Sequence, residues 1–200
     1  FPTARDPIVV LDSGANVDCS PEELVQFARL GSVYAEDILA RKNPSVGLLS
    51  IGEEPEKGNA VVKEAHALLT AARAEGLNFH GNVEGRDLPM GASERGPFDV
   101  VVCDGFVGNV ILKCCESLAH ALGHIIKEKL KKTLIRKAGY LLSRNVYREI
   151  KQLSDVAEYG GAPLLGVNGV CIIGHGSSSA RGVCNGIRVA GEVVEQRVND

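Results

Sequence analysis

Five short stretches of the chain gather residue types that hold anions or move protons. They are Ser13-Gly14-Ala15-Asn16, Gly52-Glu53-Glu54-Pro55-Glu56-Lys57-Gly58-Asn59, Asn82-Val83-Glu84-Gly85-Arg86-Asp87, Asp104-Gly105-Phe106-Val107-Gly108-Asn109 and Gly174-His175-Gly176-Ser177-Ser178-Ser179. Gly105 and Gly108 permit backbone conformations closed to other residues and let a ligand approach the main chain. Asn109 has two readings at the entry of a helix: it caps the backbone, or it turns its amide to a ligand. The loop from Gly174 to Ser179 leads into a helix, so its N–H groups and hydroxyls form an anion pocket. His175 adds a group that carries a proton near neutral pH, unless it is a hydrogen-bonded turn residue. Lys57 falls in the expected first turn of a helix, which costs a few tenths of a kcal/mol against the dipole. An anion beside it removes that cost; the other reading is a solvated lysine among Glu53, Glu54 and Glu56. Arg86 is a weaker candidate, equally able to pair with Glu84 or Asp87.

Strands and helices must carry these stretches. Ile8–Asp12, Val46–Ile51, Leu77–Gly81, Asp99–Asp104 and Gly169–Gly174 read as strands, and their short, continuous apolar runs suit a parallel sheet buried on both faces. Helical spacing covers Pro21–Lys42, Lys57–Glu75, Asn109–Leu153 and Ser178–Arg197. Ser20 followed by Pro21, Glu22 and Glu23 is a helix start, with cap, first-turn proline and acids at the positive end of the dipole. The alternation predicts one α/β domain over residues 1–200, an open and mostly parallel sheet with helices on both faces. Each chemical stretch follows a strand, and ligands of such sheets bind beyond the carboxyl ends of the strands. All five loops are therefore expected in one site.

Composition narrows the partners. A 44% hydrophobic content over 200 residues provides for a sizeable core, yet no apolar run nears the ~20 residues of a membrane span. The opening FPTARDPIVV has neither an initiator Met nor the pattern of a secretory signal. The six cysteines form no C-x-x-C pair, and Cys103 and Cys171 lie in apolar runs, which favours free thiols in a reducing cytoplasm. His120 and His124 have zinc spacing but lack the glutamate of H-E-x-x-H, so a partly buried helix is expected and no metal. His66, in an Ala/Leu-rich helix, reads as structural. Gly174-x-Gly176-x-x-Ser179 is one residue type from a dinucleotide fingerprint, but no strand follows to complete the βαβ unit. Of a formal net charge of −3, residues 113–151 carry +7, from ten Lys/Arg against three Glu, and the remainder carries −10. That basic segment spaces apolar residues at helical intervals and predicts an amphipathic hairpin over roughly 117–158, with Gly139 at its bend. It suits an anionic membrane surface or an acidic protein. Nucleic acid is disfavoured, since aromatic residues make up only 4% of the chain and the rest of it is acidic.

LDSGANVDC, FARLGSVYAE, VGLLSIGEEPEKGN, FHGNVEGRD, VVVCDGFVGNVILK and EYGGAPLLGVNGVCIIGHGSS, in this order, closely resemble the bacterial acyl-acyl-carrier-protein:phosphate acyltransferases of the PlsX type. The resemblance covers nearly all 200 residues. It implies transfer of a fatty acyl group from the thioester of acyl carrier protein to inorganic phosphate, giving acyl phosphate for phospholipid synthesis. It implies a fold similar to phosphate acetyltransferases and isopropylmalate dehydrogenases, a homodimer, and a helical hairpin that places a cytoplasmic enzyme peripherally on the inner face of the membrane. No cofactor is implied.

Carried over by motif, the resemblance makes Lys57, Asn109 and His175 the catalytic candidates. Gly14, Asn16, Gly58, Asn59, Arg86, Asp104, Gly108, Gly176, Ser177 and Ser178 become candidates for holding substrate or phosphate. Lys127, Lys131, Lys132, Arg136 and Lys137 become contacts to the carrier protein or membrane. Two features depart from the family: Ser179 stands where an Asp usually follows His-Gly-Ser-Ser, and the family's glycine-rich amino-terminal region has no counterpart. The chain is thus expected to be the carboxyl-terminal part of a member. The alternatives are a coenzyme A-dependent phosphate acetyl- or butyryltransferase, and a non-catalytic fragment that dimerises or binds membrane.

Overall fold

The computed structural model describes residues 1–153, 160–174, 176 and 178–196. The chain divides into two compact units, the first made of Phe1–Leu112, Leu165–Gly169 and Glu192–Asp200, the second of Lys113–Leu164 and Val170–Gly191.

In the first unit, β1 (Val9–Leu11), α1 (Pro21–Asp37), β2 (Val46–Ser50), α2 (Ala60–Ala72) and β3 (Phe79–Glu84) follow one another. A small antiparallel ladder of β4 (Ala92–Ser93) and β5 (Gly96–Pro97) precedes β6 (Val100–Val102), and α3 (Gly105–Leu130) begins here. The sheet is parallel throughout, in the order β1-β6-β2-β3. Period-2 alternation sorts its side chains. Val46, Leu48, Val100 and Val102 join Leu24, Ala28 and Ala35 of α1 and Ala65 and Leu69 of α2 in one core. Leu49, Val83, Val101 and Cys103 join Ile8, Leu88 and Phe98 in a second core, on which Ile111 of α3 packs. Both faces are covered, which is why the strands read as unbroken apolar runs.

β6 is inserted between β1 and β2 although it comes last. The helices after β1 and β2 lie on one core, while the helix after β6 packs on the other. Chain direction across the sheet therefore reverses at β6, the arrangement that opens a crevice at the carboxyl ends of such strands.

The helix starts differ from expectation except at α1. There the Ser20 hydroxyl accepts from the Glu23 N–H at 3.2 Å and the Glu23 carboxylate from the Ser20 N–H at 2.7 Å, a complete capping box. α2 starts at Ala60 behind an Asn59 cap, so Lys57 lies outside the helix. α3 starts at Gly105, where the Asp104 carboxylate accepts from the Val107 N–H at 2.7 Å. Asn109 therefore lies inside α3, and its capping reading is overturned because Asp104 holds that place.

In the second unit, the expected Asn109–Leu153 helix is three: the remainder of α3, α4 (Leu134–Leu142) and α5 (Arg144–Leu153). Gly139 lies within α4. The break before α4 is at Thr133, whose hydroxyl caps Arg136 at 3.3 Å, a stronger stop signal than a lone glycine. Here β7 (Ala162–Pro163) and β8 (Ile172–Ile173) form their own antiparallel ladder, and α6 (Ala180–Glu195) begins. The fifth expected strand is thus only two residues long and pairs with β7 rather than joining the parallel sheet. Cys171 is exposed, not packed, and His120 and His124 are exposed on α3.

Candidate active site

Asp12 directly follows β1 and is buried. Its carboxylate accepts from the main-chain N–H groups of Ser13, Gly14, Ala15 and Asn16 and from the Asn16 amide, the Gly14 and Ala15 bonds being 3.1 and 3.2 Å. The donors that make Gly14 and Asn16 resemble an anion pocket are thus engaged by the protein's own anion. The loop forms a tight, pre-shaped ridge. α3 lies directly against it: a Cβ on Gly105 would be 2.6 Å from the Asn16 carbonyl oxygen, and one on Gly108 only 1.9 Å from that of Asp12. Gly108 therefore serves close packing of helix on loop. One turn along, the Asn109 side chain borders Gly14, 3.9 Å from the place its Cβ would take, and its amide is solvent-exposed with no hydrogen bond among the described residues.

The loop after β2 carries Lys57 and Asn59. The Asn59 side chain accepts from the Val62 N–H at 2.9 Å. Lys57 is exposed, and its ammonium makes no ion pair among the described residues despite three neighbouring glutamates. Its stem lies over Gly52, where a Cβ would be 2.8 Å from the lysine Cγ. Glu53 turns instead toward Arg95, whose guanidinium also donates to the Glu53 carbonyl oxygen at 3.0 Å. Lys57 is thereby left as an available positive charge.

Between these loops lies a cleft of about 830 Å³, within the ordinary range for ligand sites. Leu48, Leu49, Val61, Val62, Phe106 and Ile111 make much of its wall. Gly58 and Asn59, directly after Lys57, and Asp104, five residues before Asn109, add polar positions, while Lys57 and Asn109 themselves are not among the described lining residues. Two thiols, Cys19 and Cys103, also line it. Burial pushes both up, Cys103 to about 12, with Asp104 and Asp12 adding to the effect there. Neither is a thiolate at neutral pH, so neither is an activated nucleophile. No histidine stands among the described lining residues.

The remaining candidates divide by unit. Arg86 is paired, 3.1 Å from Glu84 and 3.9 Å from Asp87. Gly176 and Ser178 are exposed in the second unit, and His175 and Ser177 lie outside the described residues. In the same unit Lys127, Lys131 and Lys137 rim a smaller hollow of about 330 Å³ with Ile126, Leu130, Tyr140 and Tyr147. Lys131 pairs with Glu128 at 3.0 Å, and Arg136 donates to the Lys129 carbonyl oxygen at 3.2 Å. Lys132 is exposed.

Three residues of consequence escape a reading by motif. Asp12 organises the first loop, and its signal is an acid closing an apolar run. Asn82, fully buried in β3, donates to the Glu54 carbonyl oxygen at 2.8 Å; a polar residue amid FHGNV is its only trace. Arg95 has no local signal, because its partners lie far away in sequence.

The chain matches, over residues 1–200, a family model described as a fatty acid synthesis protein. A phosphate acyltransferase from Aquifex aeolicus (strain VF5) is 51% identical over 199 residues, spanning 100% of this chain and 57% of that protein. A phosphate acyltransferase from Geotalea uraniireducens (strain Rf4) is 50% identical over 199 residues, 100% of this chain and 55% of its own length. One from Desulfitobacterium hafniense (strain DSM 10664 / DCB-2) is 53% identical over 195 residues, 98% of this chain and 56% of its own. The chain spans a little over half the length of these relatives.

Proposed function

Because the chain belongs to the fatty acid synthesis protein family, we propose that it builds the site of a phosphate acyltransferase, which moves a fatty acyl group from acyl carrier protein to inorganic phosphate. The observation that carries this reading is the cleft at the switch point of the sheet, with an apolar wall suited to an acyl chain and lined by Gly58, Asn59 and Asp104 from the loops that lead to Lys57 and Asn109, whose polar ends have no partner among the described residues. A phosphate oxygen attacks the thioester carbonyl carbon, the tetrahedral oxyanion collapses, and the C–S bond breaks. The thiol leaves with the proton that phosphate gives up. Phosphate is itself a nucleophile, so the protonated Cys19 and Cys103 suit a transfer without an acyl-enzyme. Lys57 offsets charge on phosphate or the oxyanion, and Asn109 donates a hydrogen bond to one of them, with the reactants held in line. His175 and the Ser177–Ser178 hydroxyls position phosphate or handle the proton. The product, an acyl phosphate, serves phospholipid synthesis.

The test follows the intact mass of palmitoyl-acyl carrier protein mixed with this chain, with and without phosphate. Phosphate-dependent loss of the acyl group is expected, and Lys57→Ala and Asn109→Ala should each slow it at least ~10²-fold. Near-normal rates in both variants sink the assignment. Turnover of acetyl-coenzyme A in place of the carrier favours the short-chain reading, and turnover of neither donor the non-catalytic one.

The second unit is proposed to meet acidic surfaces, either the carrier protein or an anionic bilayer, through Lys127, Lys131, Lys132, Arg136 and Lys137, and the working form to be a homodimer. No helix among the described residues is long and apolar enough to cross a membrane.

A further inference from the structure

Lys57 has no ion pair among the described residues to fix it, so what places its ammonium acts through the loop that carries it. Two side chains from outside that loop grip consecutive carbonyl oxygens of it: Arg95 Nη2 donates to Glu53 at 3.0 Å, and Asn82 Nδ2 donates to Glu54 at 2.8 Å. The same Glu54 oxygen accepts the Lys57 N–H at 3.0 Å, so the Asn82 amide and the Lys57 backbone share one acceptor. We infer that Asn82 and Arg95 are positioning residues that hold the loop from Gly52 to Gly58 in one form and thereby set where the Lys57 ammonium stands.

Three further observations bear on this. Asn82 is fully buried in a strand whose neighbours are Gly81 and Val83, and its Oδ1 has no hydrogen-bond partner among the described residues. A leucine there would avoid the cost of burying a half-paired amide, so the fold alone does not ask for asparagine. Gly81, at φ 110°, leaves the space that Arg95 crosses: a Cβ would stand 2.1 Å from Nη1, which donates to the His80 carbonyl oxygen at 3.4 Å. Arg95 itself comes from the β4–β5 turn, where its N–H donates to the Ser93 hydroxyl at 3.2 Å. The clamp thus ties the lysine loop to β3 and to the small ladder, none of whose own residues is in the described lining of the cleft.

The inference rests on the role proposed for Lys57, and a cycle of variants separates the two. Asn82→Leu keeps the volume and removes the donor; its thermal midpoint should equal or exceed that of the parent. Its turnover with palmitoyl-acyl carrier protein and phosphate should fall about 10- to 100-fold, as for a misplaced catalytic group. In a Lys57→Ala background the same change should cost less than about twofold, because the group being positioned is gone. Arg95→Lys, which loses the planar fork, should behave alike. Equal losses in both backgrounds overturn the clamp while leaving Lys57 catalytic. Normal turnover by Lys57→Ala removes the reading of Lys57 itself. Hydrogen exchange needs no activity: in Asn82→Leu the peptide spanning residues 52–59 should exchange faster than in the parent, and unchanged exchange there also overturns the clamp.

Discussion

A methyl group at Gly108 would stand 1.9 Å from the Asp12 carbonyl oxygen and 3.1 Å from the Cys103 sulfur, with neither backbone able to yield. Gly108→Ala should therefore lower stability by about 3 kcal/mol, the upper end for overpacking. Gly123→Ala, on the same helix with nothing within 4 Å, should raise it by up to about 1 kcal/mol. Urea midpoints of the two variants measure the contrast; equal midpoints would mean that α3 does not sit on the Asp12 loop as described. Sequence marks both as helix glycines and cannot rank them. Lys57 and Asn109 stand out in sequence because each follows the abrupt end of an apolar run. Asp12, Asn82 and Arg95 stand out less, since most of their partners are main-chain atoms, which every sequence possesses.

The basic helices raise a question of elements. α4 exposes Leu134, Ile135 and Leu142 to more than four-fifths of their full extent, next to lysines and arginines. Charge reversal at Lys131 and Lys132 together should weaken binding to anionic vesicles, and the loss should be larger at low than at high salt, as screening requires. An affinity unchanged at low salt would leave these helices with a structural task alone. Helix character here is legible from spacing. The breakpoints are not, because a capping threonine outcompetes a glycine whose backbone freedom goes unused. β8 shows the reverse error: a good apolar run reads as a central strand, yet what a strand pairs with is set by partners distant in the chain.

At the scale of the molecule, two half-buried histidines couple folding to pH. Burial, then the guanidinium of Arg73 at His66 and of Arg95 at His80, lowers both below the ordinary value, against opposing Glu56 at His66 and Glu53 and Asp87 at His80. The folded state therefore disfavours their protonated forms. Their contribution is complete above the unfolded value of about 6.5 and is lost as pH falls below it. The urea midpoint should drop between pH 7.5 and 5.5, and His66→Gln with His80→Gln should flatten that drop; an equally steep fall would assign it to carboxylates instead. Legible in the residues alone are the parallel α/β class, the capped start of α1 and the presence of Lys57 and Asn109 in stretches that follow strands, though not their places relative to the helix starts. Each is a local consequence of side-chain period, turn chemistry or caps. Three-dimensional packing alone shows that β6 enters between β1 and β2, that the Gly14 and Asn16 donors serve Asp12, and that Asn82 and Arg95 grip the lysine loop. The strand insertion and the grip on the lysine loop join residues far apart in the chain, selected by packing and by the need to pair buried polar groups, and no local pattern encodes them.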